Sequence, residues 1–363
     1  MLMVLIDRVV LTRFCKDVFL AIGLSETEAT DSADILVDAD ARGISIHGVI
    51  RLKRYVNGVQ KGVMVSGVQP TVLRDTPISL VLDANGAMGL SLSRKTMDTV
   101  IDRASEHGVC FSSIRNSNHF GIAGFYAEMA ARHDMIGIGM TNTAALGVPT
   151  FARDAYFGTN PIAVAVPASG GRLFCLDMAT TAVTRGKIET YDREGKKIPL
   201  GWAVDTTGHG TDDPAKLLED MLYQRGGGMM PLGGEGEEHS GYKGYGLATV
   251  VDIMTALLSG GTFGKCVMDS EATSARVCHF FGAIRLDIFR DPEEFKKDMG
   301  RMMDELNAMK PAEGCSRVYY AGQKEHEAEE RSWKEGVPVT EKLYDELCGI
   351  GMELLGRPLE RKR

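Results

Sequence analysis

Between residues 60 and about 175 the chain alternates short apolar runs with stretches of helical spacing, and this alternation confines it to an α/β or α+β lobe. The runs at 78–83, 109–114, 136–140 and 161–166 are bounded by Gly and Asn and read as strands. The stretches at 90–107 and 121–133 have the spacing and length of helices. Before this lobe the reading is helical: 10–22 stops at Gly23, and a new helix runs from Ser25 to about residue 41. Ser25 and Glu28 form a capping-box pattern at its start. A further helix over 49–59 places Arg51 and Tyr55 four apart, on one face. Residues 186–240 are polar and Gly-rich and are expected to be largely long surface loops. A buried-looking helix over 247–258, a strand over 280–289, and helices over 292–309 and 340–355 complete the pattern. The charged run 325–334 reads as a solvated face.

At 363 residues the chain exceeds the roughly 100–200 typical of one domain. The expected division is a helical N-terminal segment (1–75), an α/β domain (76–290) and a C-terminal helical segment (291–363). With 44% hydrophobic residues the chain can bury a large core. Lys and Arg number 41 against 49 Asp and Glu, a net charge of −8 that argues against nucleic-acid binding. Asp7 and Arg8 interrupt the apolar start too early for a signal peptide, and no stretch approaches the roughly 18 apolar residues of a membrane helix. The seven cysteines are scattered without a CxxC pair, so neither a disulfide framework nor a thiolate metal site is suggested. The expectation is a reduced, cytoplasmic protein with no bound metal, no membrane partner and no nucleic-acid partner.

The usual nucleotide signatures are missing. No GxGxxG follows a strand, and no P-loop, HExxH, GxSxG or kinase pattern occurs. Four other segments could carry chemistry. In SIHGVIR (45–51), His47 titrates near neutrality and Arg51 offers a two-pronged grip for a carboxylate, which together suit a 2-hydroxy or 2-oxo acid. The same residues would also serve as a turn histidine and a surface arginine. NSNHFG (116–121) follows a strand and precedes a helix, where Asn118 and His119 would face a ligand. Thr141, Asn142 and Thr143, with 158–161, are polar turns able to meet a ribose or carboxamide. In GYKGYG (241–246) a helix start and Lys243 would attract a phosphate or carboxylate. The histidines at 107, 133, 209, 239, 279 and 326 lack metal-ligand spacing and read as structural or surface residues.

Taken in order and spacing, ARGISIHGVIRL, RNSNHFGIAGFYAEMA, YFGTNPIAVAVP, LDMATTAVTRGKI and SGYKGYGLATVVDI resemble the type-2 malate/L-lactate dehydrogenase family. That family also holds sulfolactate and ureidoglycolate dehydrogenases and Δ1-piperideine-2-carboxylate reductases. The resemblance runs from about Leu11 to Leu355. It implies a mixed α/β, non-Rossmann NAD(P)-binding fold, with helical N- and C-terminal segments packed together. It implies an NAD- or NADP-dependent enzyme that moves a hydride to or from C2 of a malate-, lactate- or sulfolactate-type acid. It further implies a homodimer with active sites near the subunit interface.

By the same resemblance His119 and His47 are the acid/base candidates, with His119 preferred, Arg51 is the substrate-carboxylate anchor, and Thr143, Asp177, Met178, Ala179, Thr180 and Lys243 fall on cofactor-contact blocks. The motif reading adds Tyr55 and Ser45 to the substrate side and Asn118, Thr141 and Asn142 to the cofactor side. The chain departs from its relatives at four places: Ala321-Gly-Gln323 stands where relatives often have Pro-Gly-Glu, the 226–240 stretch is longer than usual, Ile46 replaces the usual Ser or Thr before the histidine, and Lys187 stands where some relatives carry an acid. A Ser–His–Asp relay therefore does not transfer. Two other functions compete: reduction of a cyclic imino acid or 2,3-diketo acid, and a non-catalytic relative that only binds nucleotide or metabolite.

Overall fold

The computed structural model describes residues 3–268 and 274–361; Met1 and Leu2, part of the apolar start, lie outside it. The described residues form eleven strands and eleven α-helices. In chain order they are β1 (Met3–Ile6), α1 (Arg8–Ala21), α2 (Glu26–Ala41), α3 (Leu52–Gln60), β2 (Thr71–Thr76), β3 (Ser79–Asp83), α4 (Gly89–His107), β4 (Val109–Ser117), α5 (Ala123–Ala131), β5 (Met135–Thr141), β6 (Ile162–Pro167) and β7 (Leu173–Met178). There follow α6 (Arg185–Arg193), β8 (Ala203–Val204), α7 (Pro214–Leu222), β9 (Gly228–Met229), α8 (Gly241–Asp252), β10 (Val277–Arg285), α9 (Pro292–Ala308), α10 (Gln323–Glu335), β11 (Val337–Thr340) and α11 (Glu341–Leu355).

Local chemistry sets the N-terminal helices. Asp7 caps α1 by accepting from the Val9 and Val10 amides, and Leu11, Phe14, Cys15, Val18 and Phe19 form its buried stripe. Each large apolar side chain there contributes about 1.5–3 kcal/mol on burial. The Ser25–Glu28 capping box is present at the start of α2. β1 pairs antiparallel with β11, Met3 opposite Thr340, so the two ends of the chain meet. The helices α1 and α11 pack together beside that ribbon.

The central sheet has seven strands in the order β2-β3-β4-β10-β5-β6-β7. Only β3 and β4 run parallel, joined by the α4 crossover; the other neighbours are antiparallel. β10, late in sequence, is inserted between β4 and β5. α5 lies on β5, β6 and β7, and Gly137 and Gly139 of β5 allow this. A Cβ on Gly137 would stand 1.9 Å from the Ala127 carbonyl.

Two expectations need correction and one needs refinement. Residues 186–240 are mostly loop and turn, as expected, but α6, α7 and the β8–β9 ribbon enclose a small core there of Val183, Ile188, Ile198, Ala203, Leu217 and Met229. Asp213 capping α7, with Pro214 in its first turn, was a readable start signal. The 247–258 helix is not buried all round. It begins at Gly241, passes into one π turn at Ile253–Leu257, and leaves Leu247, Val250, Ile253, Leu257 and Leu258 exposed. The 325–334 run lies on α10, whose Glu329 turns inward to meet Arg8 and Arg42.

A buried ionic network joins α2, α5 and α10. Arg42, at the end of α2, places Nε 2.7 Å from Asp38 and Nη1 2.7 Å from Glu128, whose Oε1 also meets His326 Nε2 at 2.9 Å. Burial opposes ionisation of Glu128, but the His326 and Arg42 contacts prevail and hold its carboxyl down at about 2. Removing one partner of such a pair strands the others. Arg42→Met is therefore expected to cost about 3–5 kcal/mol in urea unfolding. Glu128 lies below its ordinary value when folded, so its contribution is complete above pH 4.5 and is lost as pH falls through about 2. In thermal unfolding, Glu128→Gln is expected to lower Tm at pH 7 and to show a shallower acid decline than the parent over that window.

Candidate active site

The turn after α2 and the loop after β4 bring two histidines into contact. His47 ends a one-turn 3-10 helix, Ser45–His47, and His119 lies two residues beyond β4. Their rings stack with centroids 5.4 Å apart, and His47 Nδ1 is 3.3 Å from His119 Nε2. The Tyr55 hydroxyl lies 2.5 Å from His119 Nδ1, and the Gly121 amide points at the same nitrogen from 3.3 Å. That N–H must donate, so Nδ1 accepts and Tyr55 donates to it. The His119 proton then sits on Nε2, directed at His47 Nδ1, and the His47 proton on its outer nitrogen. The result is a three-member chain, Tyr55–His119–His47.

Arg51 belongs to the 3-10 turn Val49–Arg51 that leads into α3, rather than to the helix itself. Its Nε donates to the Ile46 carbonyl at 2.7 Å, which sets the plane of the guanidinium. Tyr55 is fully buried, with an edge-on ring contact to Phe19. Ser45 is exposed at the mouth of the turn. Ile46 faces the first turn of α6, where a Cβ on Gly186 would lie 3.5 Å from it. The residue that departs from the family pattern therefore joins the histidine turn to the 185–187 segment.

The electrostatics favour neutral rings. Burial, then the charges of Arg51 and Arg54, bring the His47 pKa down to about 4. Burial first, then His47 and the two arginines, hold His119 well below its ordinary value. Burial also pushes the Tyr55 hydroxyl up, so it stays protonated. Two neutral imidazoles beside guanidinium groups suit acceptance of a proton near an anionic ligand.

The remaining expected contact residues divide into two groups. Asn118, Thr141, Asn142 and Thr180 spend their side chains on the protein. Asn118 donates to the Gly86 and Ala87 carbonyls, and Thr141 to those of Asn142 and Cys278. Asn142 spans the Thr262 carbonyl and the Cys278 amide, while Thr180 meets the carbonyls of Thr159 and Asn160. Thr143 pairs with Thr159, and Asp177 at the end of β7 accepts from the Gly124 amide at 2.7 Å. These contacts shape the loops. Met178 and Ala179 are half-buried beside them, and Lys243 is exposed on the first turn of α8.

A nicotinamide dinucleotide needs an anion seat, and the start of α8 offers one. That turn carries no acid and no side-chain cap, Lys243 adds a positive charge, and a Cβ on Gly241 would lie 3.3 Å from the Thr150 hydroxyl. Thr150 Oγ1 is buried and lacks a hydrogen-bond partner among the described residues. These donors fit a phosphate.

His279 was read only as a structural or surface histidine, and it is fully buried. Its two nitrogens meet Thr141 Oγ1 at 2.9 Å and Ser117 Oγ at 2.8 Å, and its ring stacks on Phe120 at 4.6 Å. It thus ties the ends of β4 and β5, the two strands that lead into the site loops. Its position on an apolar strand was the only sequence signal. No group of three His, Cys, Asp or Glu residues that could hold a metal occurs among the described residues, nor is any described helix long and apolar enough to cross a membrane.

The chain was compared with known proteins. Residues 6–348 match the family model described as malate/L-lactate dehydrogenase. The malate dehydrogenase of Pyrococcus abyssi is 41% identical over 347 residues, covering 96% of this chain and 94% of its own. The L-sulfolactate dehydrogenase of Methanocaldococcus jannaschii is 36% identical, covering 93% and 94%. The crystal structure of malate dehydrogenase from Entamoeba histolytica superposes with a TM-score of 0.93 at 32% identity, covering 97% and 98%. With a stacked histidine pair, an adjacent arginine turn and a mixed sheet without the GxGxxG turn all in place, the chain belongs to the malate/L-lactate dehydrogenase family and is a 2-hydroxy-acid dehydrogenase.

Proposed function

We propose that this dehydrogenase transfers a hydride between NAD or NADP and C2 of a small 2-hydroxy or 2-oxo acid of the malate, lactate or sulfolactate type. The observation that carries the reading is the Tyr55–His119–His47 chain beside Arg51. Arg51 grips the substrate carboxylate and so fixes where C2 and its oxygen lie. In the oxidising direction the histidine pair takes the C2 hydroxyl proton, and the two rings share it as one cation. In the reducing direction the pair returns it. We assign the base role to His119 and make His47 its partner. In the resting pair His119 Nε2 carries the proton and Nδ1 accepts from Tyr55. Taking the hydroxyl proton therefore requires the opposite tautomer, with the hydrogen on Nδ1 donating to Tyr55 and Nε2 released from His47. A bound carboxylate offsets the Arg51 charge that depresses both rings, raising their pKa values in the complex. The nicotinamide, when bound, supplies or accepts the hydride. Lys243, Thr150 and the start of α8 would hold its phosphates. Thr143 and the 177–180 segment, Asp177 to Thr180, would line its path.

We also propose a homodimer. The exposed stripe of Leu247, Val250, Ile253, Leu257 and Leu258 repeats at helical spacing and suits burial against a second copy. In sedimentation velocity the protein is expected as a dimer, and Ile253→Asp as a larger monomer fraction; a monomeric parent would count against this.

The reaction is checked by following reduced-nicotinamide absorbance with NADH or NADPH and oxaloacetate, pyruvate, sulfopyruvate or a cyclic imino acid. Turnover with a 2-oxo acid is expected; turnover with the imino acid alone would reassign the substrate class. Arg51→Gln is expected to lower kcat/KM for the 2-oxo acid about 10–100-fold, the loss of a charge-assisted contact of about 1.5–3 kcal/mol. In the oxidising direction kcat/KM reports the free enzyme, and with both rings held below their ordinary value its acid limb is expected well below pH 6.5. Arg51→Gln removes a charge that depresses His47 and is expected to move that limb to higher pH.

A further inference from the structure

Asp40 occupies the last turn of α2 and is almost completely buried. Its Oδ2 accepts from the Val49 amide at 2.6 Å, while its Oδ1 has no hydrogen-bond partner among the described residues. Val49 opens the helical segment that carries Arg51, so the carboxylate sits at that segment's N-terminus, where a negative charge is favoured. Gly48, between His47 and Val49, packs directly on the carboxyl group. A Cβ there would stand 2.0 Å from Oδ2 and 2.2 Å from Cγ. The buried Cys15 thiol of α1 feels the Asp40 charge. Burial pushes the carboxyl up to about 7, with the Val49 amide opposing. An apolar side chain would fill the same space without that desolvation cost. The hydrogen bond that Asp40's side chain makes goes to the turn.

We infer that Asp40 is a positioning residue: its carboxyl group clamps the 45–51 turn and so sets the relative placement of His47 and Arg51. Asp40 touches neither the reacting atoms nor the proposed cofactor seat. It acts through the Val49 amide and through the close approach at Gly48, while the Arg51–Ile46 contact closes the turn from the other side. The inference rests on the proposed roles of His47 and Arg51, and it adds a requirement on the substrate side of the site alone.

The test compares Asp40→Ala and Asp40→Asn with the parent in two measurements. In steady-state reduction, Asp40→Ala is expected to raise the KM for the 2-oxo acid about tenfold, the loss of one buried hydrogen bond, with the KM for reduced nicotinamide unchanged. Asp40→Asn keeps an oxygen acceptor for Val49 and is expected within about threefold of the parent. In hydrogen–deuterium exchange, peptides covering residues 44–55 are expected to lose protection in Asp40→Ala and to keep it in Asp40→Asn. Unchanged oxo-acid KM and exchange in Asp40→Ala would overturn the assignment, as would both KM values rising together. If Asp40→Ala does not accumulate as folded protein, Asp40→Asn decides alone, and a tenfold rise in its oxo-acid KM overturns it. Should the parent turn over no 2-oxo acid, the functional reading fails, while the exchange comparison still decides whether Asp40 holds the turn.

Discussion

The insertion of β10 between β4 and β5 is the constraint on which the site depends. Those two strands are consecutive in the sheet's first half, yet they never pair with each other; each bonds to a strand that begins at Val277. His279 completes the join by bridging Ser117 and Thr141. Its stacking on Phe120 then fixes the backbone beside His119. Both site loops therefore take their position from one buried, neutral imidazole that takes no part in the proposed chemistry. The Cys278 amide and carbonyl, bonded to Asn142 and Thr141, reinforce the same seam.

A second level of organisation is electrostatic. Around the N-terminal helices, buried charges are paired: Arg42 with Asp38 and Glu128, and Arg8 with Asp38 and Glu329. A few residues further along, at the histidine turn, the balance changes. Arg51 and Arg54 act on rings that burial already makes reluctant to charge. A bound ligand's carboxylate would offset those two positive charges.

Much of the fold was legible because it rests on local patterns. The Ser25–Glu28 capping box, the stripe of α1 and the alternating strands β3 to β6 all follow from neighbours in sequence. What escaped depends on distant partners. β2 is exposed along most of its length and holds to the sheet only through β3. β1 and β11 are four residues each and exist because the chain ends meet. At the site, His47, His119, Arg51 and Tyr55 stand out by residue type and motif, but the His47–His119 and Tyr55–His119 contacts join residues more than sixty positions apart. Asp40 and His279 left little trace. An acid in an alanine-rich helix and a histidine in an apolar strand acquire meaning only when the turn and the loops close over them. The π turn after α8 left no signal of its own, since Leu247–Leu258 reads as one continuous apolar helix.

The late position of β10 also bears on how the chain acquires its structure. A ribosome must release some 280 residues before the gap between β4 and β5 can be filled, and the β1–β11 ribbon closes later still. Until then the edges of β4 and β5 carry unpaired backbone groups, the condition under which strands find the wrong partner. Long-range pairings of this kind place the slow, entropically costly closures at the end of synthesis. The two site loops can therefore acquire their final spacing only in the last steps of folding, and a nascent chain truncated before Val277 would hold its histidines without the strand that aligns them.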